Sequence, residues 1–355
     1  MNRKLTRQIR IGKVVVGGAA PVSVQSMTNT KTTDVTGTVH QIQRLTEAGC
    51  DIVRLAVPDR EAAIALGRIK QAVGEVPLVA DIHFDYRLAL TAVERGIDAL
   101  RINPGNLGDR EQVAAVVKAA GSRNIPIRIG VNAGSLDKTL LEKHGGSPTP
   151  QAMVESAKGH IAILEDLDFY DIKVSLKAHD VPLTIAAYRL MSETVEYPLH
   201  LGITEAGTVN SGIIKSAVGI GALLAEGIGD TIRISLTGDP VEEVRAGNEI
   251  LKALGLRNSG PTLVSCPTCG RCNIDLVPIA TAVEDKLKFV KKPITVAVMG
   301  CVVNGPGEAK EADVGIAGGT GQGILFSKGE IIKKVAEDRL IDELFMEIDR
   351  LIEEE

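Results

Sequence analysis

Hydrophobic positions along this chain recur in short runs that alternate with longer amphipathic stretches, from about residue 20 to residue 255. The runs are rich in Val, Ile and Leu, as in "DIVRLAVP" (51–58), and predict buried strands. The stretches between them, such as 35–49, 60–74 and 212–227, repeat apolar residues at helical spacing. The predicted strands are 21–29, 51–58, 77–84, 99–106, 126–134, 171–178, 198–206 and 231–238.

This alternation of strand and helix implies parallel strands that are joined by crossover helices. Eight repeats within about 240 residues match a (β/α)8 barrel, whereas a doubly wound open sheet usually has fewer strands. The alternation stops at about 256–262, where Asn, Ser, Gly and Pro cluster. We therefore predict an α/β protein with a TIM-type barrel over residues 1–257 and a small α+β domain over residues 258–355.

The predicted small domain has two clear elements and one ambiguous segment. A strand is expected at 293–300, and an amphipathic helix ends the chain, with apolar residues three or four positions apart. Those residues are Ile341, Leu344, Phe345, Ile348 and Leu351. The Gly-rich segment 315–323 lacks the Lys-Ser/Thr pair of a P-loop, so we interpret it as turns of a small antiparallel sheet.

Basic residues interrupt the predicted barrel strands. Five strands carry a base between apolar neighbours, and Lys177 ends the sixth strand. The five bases are Arg54, Arg101, Arg128, Lys173 and Arg233. A buried charge is costly unless it is paired or lies at an open end, and the carboxyl ends of barrel strands open onto the active-site face. The pattern predicts a ring of positive charge for a small, multiply anionic ligand such as a phosphate.

Other polar residues share these strand ends and leave a second interpretation open. They are Gln25, Asn29, Asp81, His83, Asn103, Asn132, Ser175, His200, Glu205 and Ser235. The bases could pair with Asp81, Asp171 or Glu205 in a purely structural network. Glu205 is the most informative of them, because a carboxylate beside a phosphate site could act as a general acid or stabilise developing positive charge.

Four of the five cysteines lie in the predicted small domain: Cys266, Cys269, Cys272 and Cys301. A C-x2-C-x2-C segment with a distant fourth cysteine permits an iron–sulfur cluster, a zinc ion or, less expected in a cytoplasmic protein, a disulfide. Zinc ribbons usually pair two C-x2-C segments, and the second is missing around Cys301, which favours iron–sulfur. The Gly-Pro-Gly turn after Cys301 could bring Glu308 back toward the same metal.

Charge and hydropathy exclude some classes of protein. The net charge is −5 and the pI is near 5.8, which does not favour binding to nucleic acid or to an anionic membrane. The first residues lack the apolar core of a signal peptide, and no apolar run reaches the roughly 18 residues of a membrane span. We interpret the chain as cytoplasmic.

The cysteine segments "SCPTCGR" and "MGCVVNGPGEA" closely resemble the signature of the 4-hydroxy-3-methylbut-2-enyl diphosphate synthases, the IspG or GcpE family of the non-mevalonate isoprenoid pathway. The barrel region is similar in "QSMTNT", "DIVRLAVP", "ADIHFDYRLAL", "RINPGN" and "GVNAGSL", so the resemblance covers nearly the whole chain. It implies an oxidoreductase whose barrel binds 2-C-methyl-D-erythritol 2,4-cyclodiphosphate and whose small domain holds a [4Fe–4S] cluster. The expected reaction opens the ring with two electrons and expels water.

The resemblance also implies particular site residues. The cluster ligands would be Cys266, Cys269, Cys301 and Glu308, while Cys272 departs from the family pattern and is treated as a neighbour. Glu205 would lie near the reacting carbons. The diphosphate-binding residues would be Arg54, Arg101, Arg128, Asn132, Lys177, Arg233 and Ser235.

Partners follow from the same resemblance. It implies a homodimer in which the cluster domain of one subunit closes the barrel of the other, and a ferredoxin or flavodoxin as electron donor. Two other interpretations stay open from the residues alone. One is a non-redox phosphate-binding barrel of the pterin-synthase kind with a structural zinc tail, and the other is a zinc-ribbon binding protein whose barrel has lost catalysis.

Overall fold

The computed structural model describes residues 3–258, 260–301 and 309–353. The chain divides into two compact units, Met1–Arg257 and Asn258–Glu355, and each is described by itself. No helix in the described ranges is long and apolar enough to cross a membrane.

The first unit begins with a hairpin and continues as alternating strands and helices. Its strands are β1 (Ile9–Ile11), β2 (Val14–Val16), β3 (Ser23–Met27), β4 (Ile52–Ala56), β5 (Leu78–Asp81), β6 (Ala99–Ile102), β7 (Ile127–Asn132), β8 (Ile172–Lys177), β9 (His200–Leu201) and β10 (Thr231–Ile232). Its helices are α1 (Val35–Glu47), α2 (Arg60–Val73), α3 (Tyr86–Glu94), α4 (Arg110–Gly121), α5 (Lys138–Lys143), α6 (Pro150–Glu165), α7 (Val181–Thr194), α8 (Val209–Ala225) and α9 (Pro240–Ala253).

Strands β3 to β10 form a parallel barrel. They are hydrogen-bonded in the order β8-β7-β6-β5-β4-β3-β10-β9, and a parallel bridge between Val174 and Leu199 joins β8 to β9. The predicted TIM-type barrel is confirmed, with a strand inside each of the eight predicted runs. The strands are shorter than those runs because the last residues of each run leave the sheet as loops at its carboxyl end.

Local sequence explains why the helices begin where they do. Asp59, Asp109 and Asp180 each precede a helix, and each carboxylate accepts a hydrogen bond from a backbone N–H of the first turn. The apolar faces of these helices pack against strands that are buried on both sides, as every residue of β5 and β6 is. The main core therefore lies between the barrel sheet and its helices.

The hairpin β1–β2 covers the end of the barrel where the strands start. Ile9, Ile11 and Val16 pack against the first residues of β4 and β6, Ile52 and Ala99, and against Val79 of β5. The sequence analysis did not predict this hairpin, because two strands of three residues are too short to show a period.

The described residues of the second unit form a mixed sheet and two helices. Its elements are β11 (Thr262–Ser265), α10 (Leu276–Leu287), β12 (Thr295–Met299), β13 (Val314–Gly319), β14 (Gln322–Ser327), β15 (Glu330–Ala336) and α11 (Leu340–Glu353). Strands β11, β12 and β13 are parallel, whereas β13, β14 and β15 are antiparallel. The predicted strand and final helix are confirmed. The Gly-rich segment forms most of β13 and the turn into β14, so it supplies strand as well as turn.

Candidate functional site

The carboxyl ends of the barrel strands surround a cavity of about 220 Å3. The residues that line it lie on β4 to β8 or in the segments that follow β5, β9 and β10. They are Arg54, Asp81, His83, Arg101, Arg128, Asn132, Ser175, Lys177, Thr204, Arg233 and Ser235. The structure thus brings together every residue that the sequence analysis assigned to diphosphate binding.

Asp81 is the carboxylate of this cavity, and it contacts two of the arginines. Its Oδ1 lies 3.3 Å from Arg101 Nη1, and its Oδ2 lies 3.8 Å from Arg54 Nε and 3.5 Å from His83 Nε2. Burial by itself would raise the pKa of Asp81, but Arg54 and the hydrogen bond from His83 together hold that pKa well below its usual range. Asp81 is therefore ionised and balances part of the positive charge.

Arg128 is buried beside the other cations, and no carboxylate in the described ranges forms an ion pair with it. Its Nη1 donates to Ser175 Oγ at 2.9 Å, and its Nε has no hydrogen-bond partner among the residues that the structure describes. Burial, followed by the charges of Arg54 and Arg101, holds the pKa of Arg128 well below its ordinary value. An unbalanced guanidinium at this depth is costly in the ligand-free protein and favourable toward a bound anion.

Lys177 ends β8, and a buried histidine holds its amine. Lys177 Nζ lies 3.3 Å from His200 Nε2, and His200 Nδ1 lies 2.7 Å from Thr231 Oγ1. Burial, and then the charge of Lys177, holds the pKa of His200 well below its ordinary value, so we assign a neutral ring that accepts from Lys177 and donates to Thr231. His200 does not line the cavity, which agrees with the packing role that a lone strand histidine usually has.

Five cationic side chains in the cavity wall are opposed by one lining carboxylate. Arg54 and Arg101 share Asp81, and Arg233 lies 3.8 Å from Glu243, which does not line the cavity. The structural-network interpretation accounts for these three arginines. It does not account for Arg128 or Lys177, for which no carboxylate partner occurs in the described ranges. The electrostatics therefore favour a multiply charged anion as the occupant.

Lys173 is the base of the predicted ring that does not line the cavity. It is the second residue of β8, lies opposite Arg128 in the sheet and is 2% exposed. Its shorter side chain stays near the start of the strand, whereas Lys177 is at the end. The prediction that Lys173 belongs to the ring at the strand ends is wrong for this geometrical reason.

Glu205 lies in the loop after β9 and is exposed to solvent, and it is not among the lining residues. Its backbone is left-handed, with φ of 53°, a conformation that costs a residue with a Cβ about 1 kcal/mol or more and is often found at functional sites. Its neighbour Thr204 lines the cavity, although nothing in the sequence marked it. The loop is tied to the one that carries Ser235, because Thr237 N donates to Gly207 O at 2.9 Å.

Cys266 and Cys301 come to the same edge of the sheet in the second unit. They follow β11 and β12, which are parallel neighbours with Ser265 opposite Val298. The N–H of Gly300 donates to Cys266 Sγ at 3.2 Å. A Cβ at position 300 would lie 2.5 Å from Cys272 Sγ, so glycine is needed here for the cysteine segment to pack on the end of β12.

None of the five cysteines is disulfide-bonded; Cys301 is buried and Cys269 is exposed. Among the described residues, no three His, Cys, Asp or Glu side chains are grouped closely enough to hold a metal ion. Glu308 lies outside the described residues. The donors nevertheless fit a thiolate-bound iron–sulfur group: they are soft sulfur ligands, two share one sheet edge, and a backbone N–H points at one of them.

Two family models match this chain. The GcpE TIM-barrel domain matches residues 6–248, and the GcpE protein C-terminal domain matches residues 262–350. The chain belongs to the GcpE family. This confirms the family that the cysteine and barrel motifs predicted.

Curated relatives within the GcpE family are similar over their full length. A protein of Caldanaerobacter subterraneus is 61% identical over 353 residues, which are 99% of both chains. A protein of Geobacter sulfurreducens is 63% identical over 349 residues, which are 98% of both chains. Both relatives are named 4-hydroxy-3-methylbut-2-en-1-yl diphosphate synthase (flavodoxin).

Among solved structures, the GcpE-family barrel is similar to dihydropteroate synthase from Stenotrophomonas maltophilia. The TM-score is 0.52 at 12% identity, and the match covers 70% of this chain and 97% of that chain. At this identity the likeness shows the barrel fold alone.

Proposed function

We propose that this chain is a 4-hydroxy-3-methylbut-2-enyl diphosphate synthase. It converts 2-C-methyl-D-erythritol 2,4-cyclodiphosphate into (E)-4-hydroxy-3-methylbut-2-enyl diphosphate by reductive ring opening and loss of water. The observation that carries this proposal is the cavity itself: five cations opposed by one carboxylate, in a family whose full-length relatives bear that enzyme name.

The barrel over residues 1–257 binds the cyclic diphosphate. Arginine side chains supply paired N–H donors for phosphate oxygens, Lys177 supplies a point charge, and Asn132 and Ser235 supply neutral donors. The proposed diphosphate-binding set is Arg54, Arg101, Arg128, Asn132, Lys177, Arg233 and Ser235. Because most of these side chains leave hydrogen-bonded strands, they are in place before the ligand arrives, and little ordering accompanies binding.

The second unit, over residues 258–355, holds a [4Fe–4S] cluster through Cys266, Cys269, Cys301 and Glu308. When bound, such a cluster supplies the two electrons of the reaction one at a time. The Gly300 N–H stabilises negative charge on Cys266 Sγ. Cys272 is a neighbour in this proposal, since its Sγ is engaged with Ile274 O at 3.2 Å.

Glu205 is the proposed general acid. It gives a proton to the departing hydroxyl of the substrate, which leaves as water. Its loop is tied to the loop of Ser235, so a diphosphate that is bound by Ser235 would hold the carbon skeleton near this carboxyl group.

The proposal includes a partner and an assembly. A flavodoxin or ferredoxin delivers the electrons, in keeping with the flavodoxin in the names of the relatives. The working form is a cytoplasmic homodimer, in which the cluster unit of one subunit serves the barrel of the other, with no role for nucleic acid or membrane.

The test is a turnover assay on anaerobically purified protein with the cyclic diphosphate and chemically reduced flavodoxin. We expect mass spectrometry to detect the linear diphosphate, only when reductant is present, in protein that contains iron and sulfide. NADPH should not replace the reduced flavodoxin. Colourless protein that contains zinc and yields no product would instead support the phosphate-binding barrel with a structural zinc tail.

Glu205→Gln provides the matched control for the acid role. It removes the proton but keeps the size of the side chain, so we expect normal visible absorption and normal binding of pyrophosphate with little turnover. Turnover within a few-fold of wild type would remove Glu205 from the proposal.

A further inference from the structure

Glu243 is a buried carboxylate that contacts the cavity wall from behind. It lies in the first turn of α9, is 5% exposed and does not line the cavity. A buried carboxylate is costly unless its oxygens are hydrogen-bonded or paired. Its partners therefore indicate the structural role of the residue.

Three partners surround this carboxylate, one from β3 and two from the segment after β10. Oε2 accepts from Ser26 Oγ of β3 at 3.0 Å, and Oε1 accepts from the backbone N–H of Leu236 at 3.0 Å. Oε2 also lies 3.8 Å from Arg233 Nη2. One side chain thus links the first barrel strand to the segment after the last strand.

Two of these partners belong to or adjoin the cavity wall. Arg233 lines the cavity, and Leu236 follows Ser235, which also lines it. Arg233 Nε has no hydrogen-bond partner within the described part of the chain, so the contact with Glu243 is what restrains its guanidinium from behind. Burial, and next the charge of Arg54, lowers the pKa of Arg233 to about 10, and Glu243 opposes that shift.

We infer that Glu243 is a positioning residue of the diphosphate site. It holds Arg233 and the backbone at Ser235–Leu236 in the arrangement that receives a phosphate group, without touching the ligand. This inference rests on the proposed function, because it assumes that the cavity binds a diphosphate.

The test compares Glu243→Gln with Glu242→Gln by calorimetric titration of the full-length protein with inorganic pyrophosphate. Glu242 is the matched control, because it lies in the same helical turn but pairs with Arg245 at the surface, at 2.6 Å. Both changes remove one negative charge from the same turn. Simple charge balance predicts that Glu243→Gln binds an anion more tightly than wild type. A positioning role predicts the opposite, a loss of about tenfold, as expected when one charge-assisted contact is weakened.

Turnover gives a second measurement. We expect Glu243→Gln to raise KM by a similar factor with a smaller change in kcat, because a mispositioned arginine weakens diphosphate binding in the ground state and the transition state alike. Glu242→Gln should match wild type in both. Glu243→Asp keeps the charge but shortens the side chain by one methylene, so it should recover part of the affinity.

Ser26→Ala separates positioning from stability. It removes the hydrogen bond that Glu243 Oε2 accepts from β3 but keeps the negative charge that faces Arg233, so we expect a lower Tm and a smaller loss of pyrophosphate affinity than in Glu243→Gln. If Glu243→Gln does not fold, Glu243→Asp takes its place, with an intermediate loss of affinity as the expected result.

Unchanged or tighter binding in Glu243→Gln, or in Glu243→Asp where that variant takes its place, overturns the inference and leaves the proposed function standing. Failure of wild-type protein to bind pyrophosphate overturns both, because the cavity would then not be a diphosphate site.

Discussion

The barrel cavity and the cysteine edge of the second unit are built in contrasting ways. In the barrel, binding side chains leave strands whose register fixes them, as Arg101 lies opposite Arg128 on β6 and β7. At the cysteine edge, Cys269 and Cys272 lie in the connection between β11 and α10, and Cys269 is exposed. The cations are brought together by the fold alone, whereas the described thiols are not grouped as a metal site.

The two sites are held in their arrangements by different contributions to the free energy. A sheet can hold like charges together because the free energy gained by burying the hydrophobic core around it exceeds the free energy of their mutual repulsion. The site can then bind an anion without rearranging. Loop thiols have no such support, and a metal that binds them contributes its binding energy to their arrangement. We therefore expect the cavity to keep its arrangement without the proposed cluster, and the arrangement of the thiols to depend on that cluster.

The largest effect is expected from Cys301→Ser. It should abolish the visible absorption of the iron–sulfur centre and all turnover, because one of three proposed thiolates is lost. Pyrophosphate binding to the same protein should stay within about twofold of wild type, well under the 1.4 kcal/mol that a tenfold change represents. Iron and sulfide analysis with calorimetry checks both.

Cys272→Ser is the control for that change and should retain the absorption and turnover. Equal loss in the two variants would place Cys272 among the ligands. Loss of pyrophosphate binding in Cys301→Ser would show that the cavity also depends on the proposed cluster.

Arg128→Met should weaken pyrophosphate binding by roughly 10- to 100-fold, the worth of one charge-assisted hydrogen bond. Because Arg128 has no carboxylate partner in the described ranges, its removal should leave the Tm of the ligand-free protein unchanged or higher. Arg101→Met is the matched variant of an arginine that does have a carboxylate partner. It takes a partner from Asp81, so we expect an unfolding free energy lower by about 3 kcal/mol.

Calorimetry and thermal unfolding distinguish these outcomes. A large fall in the Tm of Arg128→Met together with unchanged affinity would show that Arg128 belongs to a structural network.

Proton uptake is a smaller effect that reports on Lys177. Burial, and then the charge of Arg128, holds the pKa of Lys177 well below its ordinary value in the ligand-free protein. A bound diphosphate favours the charged amine and raises this pKa, so binding should take up protons at pH values between the two pKa values. Titrations in buffers of different ionisation enthalpy measure the number taken up.

Lys177→Arg is the control for this measurement. Arginine stays protonated, so the uptake that Lys177 causes should disappear, while protons exchanged by pyrophosphate itself remain. Equal uptake in wild type and Lys177→Arg would show that another group titrates. Between the folded-state pKa and the ordinary lysine pKa, the unfolded chain binds a proton at Lys177 that the folded ligand-free protein does not. The free energy of unfolding therefore rises as the pH rises through this range, and this rise should be smaller in Lys177→Arg.

The sequence predicted the parts of the molecule that depend on local pattern. Each barrel strand is a β-branched run followed by a helix, and a base such as Arg54 within such a run predicted a charged site at the strand ends. That pattern does not show how far a basic side chain lies from the open end of the barrel. Arg128 and Lys173 lie opposite each other in the sheet, yet only the longer arginine side chain lines the cavity.

Residues whose role depends on distant partners could not be found in this way. Thr204 is a neutral hydroxyl with no signal in the sequence. Glu243 has the appearance of an ordinary acid near a helix N-terminus, and its contacts with Ser26 and Arg233 depend on closure of the barrel. The cysteine spacing predicted a metal site, but it does not show how the thiols of the connection between β11 and α10 lie relative to Cys301.

Glu205→Gly is expected to give the smallest change in stability. Glycine adopts a positive φ without a steric penalty, so the variant should gain about 1 kcal/mol of unfolding free energy, less the extra entropy of its unfolded chain. Turnover should be lost, as in Glu205→Gln, and pyrophosphate affinity should be kept. A clear fall in Tm would show that the carboxylate supports the loop.

The hairpin that covers the starts of the barrel strands determines where ligands enter and leave the barrel. Ile9, Ile11 and Val16 fill that end, so ligands exchange at the opposite end, where the cavity lies. In the proposed reaction both reactant and product carry a diphosphate, and each must pass through the same entrance and contact the same cations. Accumulated product would therefore exclude fresh reactant, and inhibition by product should be competitive.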